Sequence, residues 1–156
     1  MARPVLAAGG IVMRGGPRPL IAVVQHRKDK KWVLPKGKLK RRENARAAAR
    51  REAVEETGHG VSVHEFLGAI SYPVSGKPKI VQFWRMQAAE EPTRELMEDI
   101  KAVEWLPLEA AIEQLTHPLE QLFLRNVGRR ALKLMRRPAR PPMLRRIWRR
   151  LRRDPG

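Results

Sequence analysis

The sequence predicts a mixed α/β domain, because β-rich segments come before, between and after helical ones. Its 156 residues are about one domain's worth, and 42% of them are apolar, enough to close one hydrophobic core and too few for two. Disorder throughout is excluded by that apolar share despite the formal charge of +17. The absence of cysteine excludes a disulfide scaffold, a thiolate metal site and a cysteine nucleophile. The four histidines, His26, His59, His64 and His117, lack zinc-like spacing. No apolar run approaches the ~20 residues that span a bilayer, and the first residues do not read as a signal peptide. A cytoplasmic location is therefore expected.

Val5 to Met13 is apolar around Gly9-Gly10, and Leu20 to Val24 is a β-rich run after Gly15-Gly16-Pro17-Arg18-Pro19, so the two read as a hairpin-like pair. Glu43 to Thr57 is rich in Ala, Arg and Glu and stops at Gly58, the pattern of a helix with a C-terminal glycine cap. Val61 to Tyr72 and Ile80 to Ala88 read as strands joined by a loop through Pro73, Gly76 and Pro78, and Ile100 to Leu106 as a further short strand. Leu108 to Leu115 reads as a short helix. Thr116 is then expected to cap a longer one whose apolar face carries Leu119, Leu122, Phe123, Val127, Leu134 and Met135.

Charge divides the chain more sharply than any linker does. Residues 129–156 hold 12 Lys and Arg against one Asp, a net of +11, whereas residues 1–128 carry +6. Arg137-Pro138-Ala139-Arg140-Pro141-Pro142 cannot continue a helix, which predicts a folded domain over 1–137 and a basic tail over 138–156. Within the tail, residues 143–153 place apolar side chains at helical spacing with arginines on the other faces, a cationic amphipathic helix. Three roles stand open for it: an anionic membrane surface, RNA phosphates, or packing of the apolar stripe on protein while the arginines face water.

The chemistry is concentrated in Arg51-Glu52-Ala53-Val54-Glu55-Glu56-Thr57-Gly58. Residues three and four apart share a helix face, so Glu52, Glu55 and Glu56 form one acidic patch. Such a patch repels itself unless cations offset it, and hard divalent ions with oxygen ligands suit it. Mg2+ or Mn2+ held there would polarise a phosphoryl oxygen and activate water. Arg51 is placed to fix one carboxylate with its planar fork. Upstream, Lys36 and Lys38, with Lys40, Arg41 and Arg42 behind them, form a basic loop fitted to offset phosphate charge. His26, Arg27, Phe83 and Trp84 are candidates to contact a base or ring, although an aromatic pair on a strand is more often core.

Three glutamates alone would read as a solvated helix face, but Gly37, Glu43, Arg51, Glu52, Glu55, Glu56 and Gly58 match the fixed positions of G-x5-E-x7-R-E-U-x-E-E-x-G-U, where U is a bulky aliphatic residue. Average residue usage gives that coincidence odds on the order of one in a million. The segment resembles the Nudix box, with Ala53 and His59 departing from the two aliphatic positions. The resemblance covers most of residues 3–135 and implies an α/β/α sandwich with a mixed sheet, whose activity is hydrolysis of an organic diphosphate linked to a further moiety. It implies Glu52, Glu55 and Glu56 as metal ligands, Glu52 also as base for the attacking water, the Gly37 carbonyl as a further ligand, and Glu43 as an indirect participant holding water or the loop. A further acid often precedes a Trp-Leu-Pro-like sequence in the family. Here Trp105-Leu106-Pro107 follows Glu98-Asp99, with Asp99 preferred.

The Leu34-Pro35-Lys36-Gly37 wording resembles the diadenosine polyphosphate hydrolase and MutT-like branch, and more loosely the enzymes acting on diphosphoinositol polyphosphates. The expected substrate is thus a small organic polyphosphate, a nucleoside or dinucleoside polyphosphate first and an inositol pyrophosphate second. A non-catalytic scaffold binding RNA or anionic membrane through its tail is the competing class. It gives no reason to keep three mutually repelling glutamates.

Overall fold

A computed structural model of the chain describes residues 3–136, so the tail over 138–156 and its expected amphipathic helix lie outside the described residues. Seven strands and three helices follow one another: β1 (Val5–Arg14), β2 (Leu20–His26), β3 (Trp32–Val33), β4 (Lys36–Lys38), α1 (Ala45–Thr57), β5 (Val61–Val74), β6 (Lys77–Ala88), β7 (Ile100–Leu106), α2 (Leu108–Gln114) and α3 (Pro118–Arg136).

The sheet runs β3-β2-β1-β6-β5, with β4 paired to β1 and β7 to β2. It is mixed, as expected: β1 and β6 are parallel over Val5–Met13, while the other described pairs are antiparallel. Strand β1 is central and buried on both faces, which explains its nearly unbroken apolar run. On one face Ile11, Met13, Ile21, Val23 and Phe83 pack with Ala111, Ile112, Phe123, Leu124 and Ala131 of α2 and α3. On the other, Ala8, Val12, Ala22 and Met86 pack with Ala48, Ala49 and Ala53 of α1. The result is an α/β/α sandwich in which alanines on α1 allow a close helix-to-sheet approach.

The predicted pairing of the first two strands is present, with Met13 opposite Ile21 and Arg14 opposite Leu20. Helix α1 starts two residues later than expected, because the Asn44 side chain accepts the Ala47 N–H at 2.8 Å as its N-cap. It ends at Gly58 with φ 74°, as the glycine cap predicts. Strands β5 and β6 are longer than expected because the pairing continues to a two-residue turn at Ser75 (φ 50°) and Gly76 (φ 76°), both left-handed. Pro73 and Pro78 face each other one pair out from that turn. In such a hairpin this is the non-hydrogen-bonded pair, so neither ring removes a ladder bond between these strands.

The last helix departs most from expectation. Thr116 is not its cap: its hydroxyl accepts the Trp32 N–H at 2.8 Å and its own N–H donates to the Trp32 carbonyl at 2.9 Å. Leu119 and Leu122 are exposed, and the buried stripe instead passes through Glu120, Phe123, Leu124, Gly128 and Ala131, with Val127, Leu134 and Met135 at its margin. Phe83, a candidate ring contact, is wholly buried and packs 5.0 Å from Phe123. Trp84 packs edge-on against Phe66.

One glycine fixes how tightly β1 and β4 fit. A Cβ at Gly9 would run into the Pro35 carbonyl and the Lys36 Cβ, neither of which can retreat cheaply. Gly9→Ala is expected to destabilise the domain by about 1–3 kcal/mol through overpacking, whereas Gly15→Ala, whose Cβ meets nothing nearer than 3.7 Å, should stay within about 0.5 kcal/mol of wild type. Urea midpoints of the two variants check the contrast.

Candidate active site

The box segment folds as β4, a turn, and α1, and each part has a local cause. The turn is closed reciprocally: the Glu43 N–H donates to the Lys40 carbonyl at 3.0 Å, and Glu43 Oε1 accepts the Lys40 N–H at 3.0 Å. Arg42 before it takes φ 65°. Gly37, opposite Ala8 in the β1–β4 ladder, is required because a side chain there would occupy the place of the Glu52 carboxylate. Ala53 is fully buried beneath α1, and His59 is buried in the position of the aliphatic residue it replaces, with Nδ1 2.8 Å from the Ala89 carbonyl and its ring edge-on to Trp105.

Arg51 organises the acids. Its Nε and Nη2 donate to Glu43 Oε2 and Oε1, both at 2.9 Å, its Nη1 to Glu52 Oε1 at 2.7 Å and Glu55 Oε2 at 3.2 Å, and its Nη2 also to the Lys38 carbonyl at 3.2 Å. The guanidinium holds Glu43 down at a pKa of about 2, chiefly by hydrogen bonding, and the carboxylates in turn raise the pKa of Arg51. Glu56 is 4% exposed and accepts the Lys36 backbone N–H at 3.1 Å. Burial pushes it up to about 8, partly opposed by that bond. Burial also raises Glu52, against the pull of Arg51. Asp99 adds to the rise of both, so the acid from outside the helix acts on the same patch.

This donor set fits a hard divalent cation. Glu56 is a carboxylate held away from water with only the Lys36 amide bonded to it, and burial raises Glu52 despite its bond to Arg51, so a dication would favour the ionised form of both. Gly37 lies against the Glu52 carboxylate, where a Cβ would collide with it. Among the described residues no three acidic or histidine side chains stand together as a ligand set, and Arg51 holds Glu52 and Glu55 by its own hydrogen bonds.

Beside the patch is a cavity of about 440 Å³ whose lining includes His26, Lys31, Lys36, Tyr72, Lys79, His117 and Glu120. Of the four predicted substrate contacts, His26 and Lys36 line it and Lys38 and Arg27 do not. Lys38 is exposed on β4. Arg27 ties the end of β2 to the acidic loop, its N–H donating to the Asp99 carbonyl at 2.8 Å and its Nε to the Glu98 carbonyl at 2.9 Å. Burial lowers the pKa of His26, and Lys36 lowers it further.

Lys36 is engaged in a way its sequence context does not suggest. Its ammonium lies 2.7 Å from Glu120 Oε2, with both side chains largely buried. Glu120 escapes sequence reasoning because it lies on a distant helix, yet one signal marks it: a single carboxylate on the face shared with Phe123, Leu124, Val127 and Ala131. Tyr72 and Lys79, on neighbouring strands with the ammonium 5.8 Å from the ring centre, carry no such mark.

A mixed sheet between helices, with an arginine-held acidic helix beside a cationic cavity, defines the class to which this domain belongs. A family model described as NUDIX domain matches residues 3–127, and the chain belongs to that family. It is 33% identical over 138 residues to an 8-oxo-(d)GTP phosphatase from Mycolicibacterium smegmatis, an alignment covering 81% of this chain and 42% of that protein. The chain spans less than half the length of the curated relatives it matches. Among solved structures it is similar to an Ap4A hydrolase from C. elegans, with 26% identity, a TM-score of 0.71, and coverage of 80% of this chain and 95% of that one. A MutT protein from Methanosarcina mazei, 18% identical with a TM-score of 0.69 over 83% of this chain and 97% of that one, shares the fold.

The Glu43–Arg51 pair has a definite pH signature. Because the folded-state pKa of Glu43 is held near 2 against an ordinary 4.5, its contribution to stability is complete above about pH 4.5 and is lost as pH falls toward 2. Wild type is expected to melt above Glu43→Gln at pH 7, with the difference in Tm closing between pH 4.5 and 2. A constant gap across that window would contradict the assignment.

Proposed function

We propose that the chain is a divalent-metal-dependent hydrolase that cleaves a phosphoanhydride bond of a nucleoside or dinucleoside polyphosphate by attack of water. The observation that carries this reading is that Lys36 joins two unlike environments: a desolvated acidic patch on α1, which its amide meets at Glu56, and a cavity lined by Lys31, Lys36, Lys79, His26 and the ring of Tyr72 together with Asp29 and Glu120. The first suits metal and water, the second a polyanion attached to a flat ring system. The activities for which the similar proteins are named, an 8-oxo-(d)GTP phosphatase and an Ap4A hydrolase, agree with that substrate class.

The residues that would hold Mg2+ or Mn2+ are Glu52, Glu55 and Glu56, with the Gly37 carbonyl and Asp99. When bound, the cation supplies charge neutralisation at the phosphoryl oxygens and lowers the pKa of water. Glu52, packed on Gly37 and tethered by Arg51, accepts the proton of the attacking water. Oxygen from that water bonds to phosphorus as the bridging P–O bond breaks, and the departing phosphate carries away the bond's electron pair. Arg51 keeps Glu52 and Glu55 aligned, and Glu43 keeps Arg51 in place. Lys36 and His26, which line the cavity, would meet the phosphates, Lys38 would add charge from the exposed end of β4, and Arg27 would act from behind by holding the Asp99 loop.

Purified protein with Mg2+ or Mn2+ is expected to release phosphate or nucleotide from a panel of nucleoside triphosphates and dinucleoside polyphosphates, and to stop on chelation. ADP-ribose, capped RNA and inositol pyrophosphates in the same panel distinguish the other substrate classes. Glu52→Gln should lower kcat by about 10²–10⁴-fold, the range for losing a general base. Full turnover in Glu52→Gln and Glu56→Gln would refute the reading.

A further inference from the structure

Glu120 is a buried carboxylate, 2% exposed in the first turn of α3, with both oxygens engaged. Oε1 accepts the Leu34 N–H at 3.0 Å and Oε2 takes the Lys36 ammonium at 2.7 Å. The same Lys36 donates its backbone N–H to Glu56 Oε1 at 3.1 Å. One residue of β4 is thus held at its side-chain end by α3 and itself holds, through its amide, a carboxylate of α1. The segment before it is fixed independently: Trp32 and Thr116 exchange two hydrogen bonds of 2.8 and 2.9 Å, and the Pro35 carbonyl accepts the Gly10 N–H at 3.1 Å.

Stability alone gives weak reason to bury such a pair. A buried ion pair typically contributes little net stability over apolar residues of similar volume, because desolvation of two charges offsets their attraction. What the pair does supply is an anchor: it ties the Lys36 side chain to α3 at the same residue of β4 whose amide meets Glu56 on α1. We propose that Glu120 is a positioning residue for the metal-binding helix, acting through Lys36 to fix the amide that orients Glu56. The inference rests on the reading of Glu56 as a metal ligand. It assigns Lys36 a role fulfilled before any phosphate arrives.

The test uses the metal alone. Mn2+ is titrated into the metal-free 156-residue chain without substrate, and free Mn2+ is followed by its electron paramagnetic resonance signal. The double variant Lys36→Met/Glu120→Gln removes the pair without changing net charge and keeps an amide oxygen for Leu34. Its Mn2+ affinity is expected to fall about tenfold, the lower end for loss of an outer partner of a metal ligand. Lys36→Met alone is expected to weaken binding as well, whereas through-space charge predicts equal or tighter binding once a cation beside the site is removed. Wild-type affinity in the double variant, or tighter binding in Lys36→Met, overturns the proposal. Melting temperatures measured in parallel separate a merely structural role, which lowers Tm and leaves Mn2+ affinity unchanged and so also overturns it. Glu56→Gln is the control for the underlying reading: unchanged affinity there overturns both claims, whereas weakened affinity there with a wild-type double variant overturns only the role of Glu120.

Discussion

The Arg51 guanidinium is the group on which the geometry of the acidic helix depends. Three carboxylates, those of Glu43, Glu52 and Glu55, and the Lys38 carbonyl all converge on it. Without a cation at that point the negative charges on adjoining helical turns would push apart. A planar fork is needed because the acceptors arrive from two directions, Glu43 from the turn before α1 and Glu52 and Glu55 from the helix itself. Lysine would offer one point charge and could not hold both sets at once. Glu56 stands outside this arrangement. It is buried, held by the Lys36 amide, and left without a guanidinium of its own. The patch therefore has one end already neutralised and another that is not, and the second end is where an external cation gains most.

Close backbone approach is the second constraint. Glycine at position 37 lets the Glu52 carboxylate lie against β4, glycine at position 9 lets β1 pass under the Pro35–Lys36 peptide, and alanine at 48, 49 and 53 lets α1 settle on the sheet. These small residues are spread over three elements that meet around the same acids.

Much of this was legible in the sequence. The alternation of β-rich and helical segments predicted a mixed α/β domain, the Nudix resemblance implied its sandwich layering, and Gly58 marked the end of α1. The composition of Glu43 to Thr57 predicted the helix, and the resemblance of Gly37, Glu43, Arg51 and the three glutamates to the Nudix box implied the loop before it. The longer β5–β6 hairpin was hidden because proline and glycine usually interrupt strands, whereas here a left-handed two-residue turn puts the prolines where no ladder bond is needed. The burial of α3 was hidden for a different reason. Leu119 and Leu122 fit an apolar stripe as well as Phe123 does, and only the position of the sheet decides which of two overlapping stripes faces inward. Glu120 joins the site through tertiary contacts with Leu34 and Lys36, far from it in the chain, and no local pattern reports such contacts.

The segment over 32–39 explains how the two halves of the domain act together. Leu34 points into the core shared with α2 and α3, Val33 packs with Val24 and Ile100, and Leu39 joins the core beneath α1. Successive residues thus anchor to different layers, and the chain can cross between them only as short strands because each layer claims it for two or three residues. Lys36 sits at the crossing, with its ammonium on the α3 side and its amide on the α1 side. A displacement of α3 relative to the sheet would be felt at Glu56 through one residue rather than through a diffuse rearrangement. The acids lie on one helix, but their relative placement is set by how both outer layers grip this single stretch of backbone.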